Sequence, residues 1–225
     1  MKPCLTNPYV IKAKQIAQRQ SLVDTINSKA QDADYQTAYN NIIEEVAYTW
    51  FNRLIAVRFM EVNDYLPCKI RVLSAADGRQ EPDIVQNPFD ARLDFTEQET
   101  AAIVQLQNDH EYNKLFQYLF IKVCNDLSKP LPQLFEHEDD YTELLLNISY
   151  IDEDGLVYKL VHDIAEDDFN VSSDDGQVEI IGWLYQYYIS EKHDEIINIY
   201  KGTVKADDIP AATQLFTTDW VVKYM

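Results

Sequence analysis

Between residues 35 and 63 the sequence repeats apolar side chains at helical spacing so densely that few folds accommodate it. Tyr39, Ile43, Val46, Trp50, Leu54 and Val57 recur at three- and four-residue steps, and Ile42, Phe51, Ile55, Phe59 and Val62 widen the stripe. A helix that is apolar on most of its faces belongs inside a protein, with other elements packed around it. The pattern predicts a central helix ending at Asn63-Asp64-Tyr65-Leu66-Pro67, because Pro67 has no amide hydrogen to continue the ladder.

The flanking sequence is also largely helical in pattern. The opening through Lys29 carries Ile11, Ile16, Ala17, Val23 and Ile26 among polar residues, a weakly amphipathic helix. Further helices are predicted over 97–108, 112–127, 141–148, 156–165 and 178–200, and Thr96 and Glu99 have the spacing of a reciprocal capping box. Two acidic turns, Asp152-Glu153-Asp154-Gly155 and Ser173-Asp174-Asp175-Gly176, separate the later helices. One stretch departs from this rhythm. Cys68-Lys69-Ile70-Arg71-Val72-Leu73 alternates polar and apolar residues like a half-buried strand, with Ala76-Asp77-Gly78-Arg79 as the turn after it. The expected fold class is therefore mainly α with a minor β-strand or hairpin element. Its expected parts are an N-terminal helical arm at 1–34, a helical domain at 35–202, and a connection at 203–225 that starts a new helix behind a Thr217 cap.

Charge and cysteine content narrow the functional classes. The net charge is −19, but residues 1–80 carry ten Lys and Arg against eight Asp and Glu, whereas 81–225 carry nine against thirty. Phosphate contacts require Lys and Arg, so any DNA contact is expected in the first third, and the acidic remainder faces solvent or a basic partner. Cys4, Cys68 and Cys124 are odd in number and far apart, which predicts unpaired thiols in a reducing compartment rather than a disulfide framework or metal site. The chain has no apolar run of membrane-spanning length, and its start lacks the apolar region of a signal peptide; the expected location is cytoplasmic, with no membrane partner.

A catalytic centre is not visible in the motifs. His110, His137, His162 and His193 stand alone, Ser149 and Ser190 lie in no nucleophile elbow, and the five glycines form no phosphate-binding loop. Calcium-loop registers built on Gly155 and Gly176 lack the first carboxylate and the closing Glu. Asn7-Pro8-Tyr9 and Asn87-Pro88-Phe89 resemble the Asn-Pro-Pro-Tyr/Phe loop of amino-group methyltransferases but lack its second proline, and are read as turns. No catalytic and no metal-ligating residue is expected. The basic residues Arg53, Arg58, Lys69, Arg71 and Arg79 remain. They read either as a small patch that positions a DNA backbone or as internal ion pairs with Glu44, Glu45, Glu61 or Asp64.

Three stretches carry a family resemblance: Glu45-Val46-Ala47-Tyr48-Thr49-Trp50-Phe51-Asn52-Arg53-Leu54-Ile55-Ala56-Val57-Arg58-Phe59-Met60, Ile181-Gly182-Trp183-Leu184-Tyr185-Gln186-Tyr187-Tyr188, and Ala212-Thr213-Gln214-Leu215-Phe216-Thr217. They resemble the N-terminal region of the PglX-type adenine-specific DNA methyltransferases of the BREX phage-defence systems, which are similar to Type IIG and Type I modification enzymes. The resemblance implies a longer enzyme, with a Rossmann-like core that uses S-adenosylmethionine and a C-terminal target-recognition region. The core of related enzymes opens with Phe-Thr-Pro-x-x-Val-Val-x-x-Met beside the cofactor, a pattern matched here from Phe216 to Met225 with Thr218 in place of the proline.

By resemblance, Thr213, Phe216 and Thr217 would be cofactor-side residues. The glycine-rich cofactor loop and the adenine-binding loop would lie beyond Met225. The expectation is a piece that is inactive alone and binds S-adenosylmethionine weakly at best, packing on the methyltransferase core in cis and meeting double-stranded DNA or other BREX proteins. A free acidic interaction module acting through 81–225, or a helical scaffold, is the alternative of a different class.

Overall fold

The computed structural model describes residues 13–31, 34–132, 134–135, 141–172, 180–184, 186–187, 221 and 224. Helix α1 (Ala13–Lys29) leads into the long α2 (Tyr35–Val62). Asp34 starts α2 as a true cap, its carboxylate accepting the Thr37 hydroxyl at 2.6 Å and the Thr37 amide at 3.0 Å. Those two bonds hold the Asp34 carboxyl below the usual carboxylate range. At the other end the Asn63 side-chain amide donates to the Phe59 carbonyl at 2.8 Å, and Asp64 turns the chain with φ of +54°. Asp is among the few non-glycine residues that tolerate this left-handed region.

The core forms where α2 meets α5 (Tyr112–Leu127). Leu115, Phe116, Leu119, Phe120, Val123, Cys124 and Leu127 are all buried, a stripe at helical spacing, with the Phe120 ring 6.0 Å from Trp50 and Phe116 edge-on to Tyr150 at 5.4 Å. Helix α3 (Asp83–Gln86) packs on α5 through Ile84 and Val85, and a 3-10 turn, Pro88–Asp90, follows it. Asn87-Pro88-Phe89 thus lies in a turn, as its sequence predicts.

Helix α4 (Glu97–Asn108) opens with the expected capping box: Thr96 Oγ1 accepts the Glu99 amide at 3.2 Å, and Glu99 Oε2 accepts the Thr96 amide at 2.8 Å. His110, at φ +56°, ends the connection to α5, with the Glu111 amide reaching back to the Leu106 carbonyl at 3.0 Å.

Helix α6 (Tyr141–Leu145) rests against α1, where Gln18 donates to Glu143 at 2.9 Å; it is shorter than the predicted 141–148. The helix predicted over 156–165 ends early, as α7 (Leu156–His162), and a short helix outside that range, α8 (Glu166–Phe169), follows it; both pack on α2. Gly155 begins α7 in the acidic turn, where a Cβ would lie 2.8 Å from the Asp152 carbonyl oxygen, too close for any other residue. Most of 178–200, the second acidic turn and nearly all of 203–225 fall outside the described residues, although 180–184 are helical. No helix among the described residues is long and apolar enough to cross a membrane.

The expectation of a strand or hairpin at 68–73 is overturned, since there is no β-strand among the described residues. Lys69 has φ of +54°, incompatible with extended backbone, and Val72 and Leu73 are both buried, which breaks the alternation. The amides of Val72 and Leu73 donate to one carboxylate oxygen of Glu61 on α2, each at 2.8 Å, instead of to a neighbouring strand. The segment is a loop laid across a helix, and its coverage does not follow the polar–apolar alternation of its sequence. Carbonyls of the same loop are used by the next elements, Cys68 accepting from the Arg92 amide and Arg71 from the Ile84 amide.

Candidate functional site

Three-residue spacing puts Arg58 and Glu61 on one face of α2, and the reversal at Asp64 brings the loop 66–75 back over that face. Glu61 is wholly enclosed, its side chain 0% exposed, and both of its oxygens are occupied. Oε2 accepts the Val72 and Leu73 amides; Oε1 accepts Arg58 Nη1 at 2.8 Å and the Ser74 hydroxyl at 2.9 Å. An enclosed carboxylate needs this many donors to offset its lost hydration.

A second carboxylate closes the cluster from outside. Glu166, at the start of α8, receives Arg71 through two bonds, Nη1 to Oε2 at 2.8 Å and Nη2 to Oε1 at 2.7 Å, and Arg58 Nη2 approaches Oε2 at 3.4 Å. The Arg71 bonds hold the Glu166 carboxyl below its usual range against the opposing effect of burial, and they raise Arg71 in turn. Ser74 Oγ accepts from both arginines, at 3.1 Å from Arg58 and 3.3 Å from Arg71. Asn63 ties the same stretch down, donating to the Phe169 carbonyl at 2.8 Å and accepting the Val171 amide at 3.0 Å. The buried Phe169 ring lies 5.8 Å from the Arg58 guanidinium.

Of the five basic residues singled out in the sequence, Arg58 and Arg71 are brought together around Glu166. Lys69 and Arg79 belong to the same loop region but pair separately, Lys69 with Asp64 at 3.3 Å and Arg79 with Asp77 at 2.9 Å and with Asp83. Arg53 is buried beside the Trp50 ring, its guanidinium 5.0 Å from the centroid. The pairing with Glu61 and Asp64 is the internal arrangement that the sequence offered as its second reading. Ser74, Asn63 and Glu166 were not singled out. Glu166 heads an acidic run, Glu166-Asp167-Asp168, but nothing in its local sequence points 95 residues back to Arg71.

A second polar cluster lies in a groove of about 500 Å³ lined by Asp94, Glu99, Tyr118, Lys122, Asp126 and Glu143, among others. Burial pushes the Glu99 carboxyl up, but bonds from Lys122 (2.7 Å) and Thr96 outweigh it and bring it down to about 2. Burial and the Glu99 charge push the Tyr118 hydroxyl up to about 12. Its excess of carboxylates makes this groove a poor seat for phosphate. Burial also raises the Cys68 thiol, which makes it a small core residue rather than a nucleophile. His162 stacks on Tyr158 at 4.0 Å, and no group of three metal-ligating side chains occurs among the described residues. Thr213, Phe216 and Thr217 lie outside the described residues.

No family model matches the chain. Curated relatives do. Adenine-specific methyltransferase PglX of Lacticaseibacillus casei (strain Zhang) is 44% identical over 221 residues, covering 96% of this chain and 18% of that protein. Adenine-specific methyltransferase BrxX of Escherichia coli O9:H4 (strain HS) is 38% identical over 191 residues, covering 84% of this chain and 15% of that protein. The chain thus spans less than a fifth of the length of these relatives.

Proposed function

The chain is homologous, over nearly all of its length, to part of the PglX/BrxX family of adenine-specific methyltransferases, and from that premise we propose that it serves as a helical, non-catalytic region of a DNA adenine-N6 methyltransferase. The observation that carries this reading is the 44% identity sustained over 221 residues, far beyond what a shared helical composition produces. In this proposal the reaction belongs to a methyltransferase core outside the matched stretch, which transfers a methyl group from S-adenosylmethionine to an adenine flipped out of the duplex. This region packs on that core and supplies Thr213, Phe216 and Thr217 to the edge of the cofactor site.

The loop 64–83 is the DNA-facing element of the proposal. Lys69, Arg71 and Arg79 keep part of their side chains in solvent, at 42%, 25% and 31%, and so can meet phosphates. Arg53 and Arg58 are enclosed, and Arg58 supports this element from behind through its bond to Ser74. The acidic composition of 81–225 favours a second reading, an acidic module that docks on a basic partner.

Fluorescence anisotropy with a duplex at low and moderate salt separates the two. The DNA reading expects weak binding that falls steeply with salt and loses about one unit of salt slope per phosphate contact removed in Lys69→Ala, Arg71→Ala or Arg79→Ala. Duplex binding indifferent to all three substitutions would count against it.

A further inference from the structure

The charges around Ser74 divide into two pairs with different exposure. Glu61 is enclosed and saturated by four donors, so it answers Arg58 from within. Glu166 answers Arg71 from outside, and its side chain is 43% exposed while Arg58 is 1% and Arg71 25% exposed. The Glu166 side chain can therefore swing into water while α8 stays anchored by buried Phe169 and by the Asn63 bonds to Phe169 and Val171. What it leaves behind is three guanidinium nitrogens, Arg58 Nη2 and both terminal nitrogens of Arg71, converging beside the Ser74 hydroxyl. Glu61 balances one of the two positive charges, so this seat carries a net charge of about +1 once Glu166 departs.

We infer that the Arg58 and Arg71 guanidiniums, held side by side by Ser74, form a phosphate-binding seat that Glu166 fills in cis, so that a phosphate group enters by displacing the Glu166 side chain. The forked Arg71 guanidinium donates to two oxygens in one plane, which suits a phosphate as well as a carboxylate. Asp83 and Glu61 also act on Arg71, and Asp167 and Asp168 stand beside Glu166. These acids repel weakly bound anions and reserve the seat for a ligand that brings several contacts at once. The inference deepens the DNA reading and rests on it for the identity of the ligand: a DNA phosphate diester, with a free phosphate as the competing source.

The test uses the whole chain, unaltered and as Glu166→Gln and Glu166→Gln/Arg71→Ala, titrated separately with inorganic phosphate and with a duplex at low salt. The seat predicts that Glu166→Gln raises affinity for both probes by about tenfold, and that adding Arg71→Ala removes the gain. A gain for phosphate alone supports the seat and identifies its ligand as a free phosphate rather than nucleic acid.

Equal affinity of the unaltered chain and Glu166→Gln overturns the seat, while loss of duplex binding in Arg71→Ala alone would leave the DNA-facing reading standing. Absence of duplex and phosphate binding in every form overturns both. Should Glu166→Gln fail to fold, the Arg71 guanidinium resonances of the unaltered chain decide: they shift on titration with phosphate but not with chloride at equal ionic strength, and no difference between the two salts overturns the proposal.

Discussion

The two halves of α2 share one apolar repeat and meet opposite fates. In the first half Tyr35, Tyr39 and Ile43, spaced by four, are 59%, 43% and 42% exposed, and only Ala38, Ile42 and Val46 on the other side are buried. In the second half Trp50 and Leu54 to Val57 are buried together with three charged residues, Arg53, Arg58 and Glu61. The first half is flanked mainly by α1, whereas the second is wrapped by the loop 66–75, α7 and α8. Apolar periodicity therefore marks a helix reliably and its depth poorly. Depth depends on whether the chain returns to cover it, and here the return is organised by a carboxylate.

If that is the reason for the difference, charge removal in the buried half outweighs any apolar truncation in the exposed half. Glu61→Ala strips a buried arginine, a hydroxyl and two backbone amides of their acceptor and is expected to cost about 3–5 kcal/mol, read as a fall in the urea midpoint. Next comes Leu54→Ala, expected to cost about 2–5 kcal/mol, against roughly 0.5 kcal/mol for Ile43→Ala measured in the same way. Comparable losses for Leu54 and Ile43 would erase the distinction between the halves.

Smaller effects sharpen the contrast away from α2. Thr96→Ala removes one side of the α4 capping box and is expected to lower stability by about 1 kcal/mol. The Glu99 carboxyl, lowered to about 2 from an ordinary 4.5, contributes stability that is fully present above pH 4.5 and is lost as the pH falls toward about 2. Glu99→Gln should flatten that part of the acid-unfolding curve, and a curve of unchanged shape would show that Lys122 and Thr96 do not hold this charge.

Much of the scaffold is legible in the sequence. The helices over 97–108 and 112–127 agree with α4 and α5 in extent, and the Thr96–Glu99 box forms as its spacing requires, because local hydrogen bonds and a single buried stripe decide these elements. The four-residue helices α3 and α8 are too short to display a period. The loop 68–73 misleads for a physical reason: six residues of alternating polarity suit a strand, but a loop pressed on a helix is covered irregularly, and here Val72 and Leu73 are buried in succession. The candidate site was legible only in part. Arg58 and Arg71 stand out by their charge, but Glu166 reaches them across a sequence gap that no local pattern bridges. Glu61 is recognisable beforehand as an ion-pair partner, not as the acceptor for two successive backbone amides.

Through the bonds that Glu61 accepts from the Val72 and Leu73 amides, the buried half of α2 holds the loop that bears Arg71. Native-state hydrogen exchange at the Val72 and Leu73 amides tests it most directly. Protection at both amides is expected to approach that of the α5 core and to be lost in Glu61→Gln while α5 remains protected. Rapid exchange of Val72 and Leu73 in the unaltered chain, at the rate of an exposed loop, would contradict it.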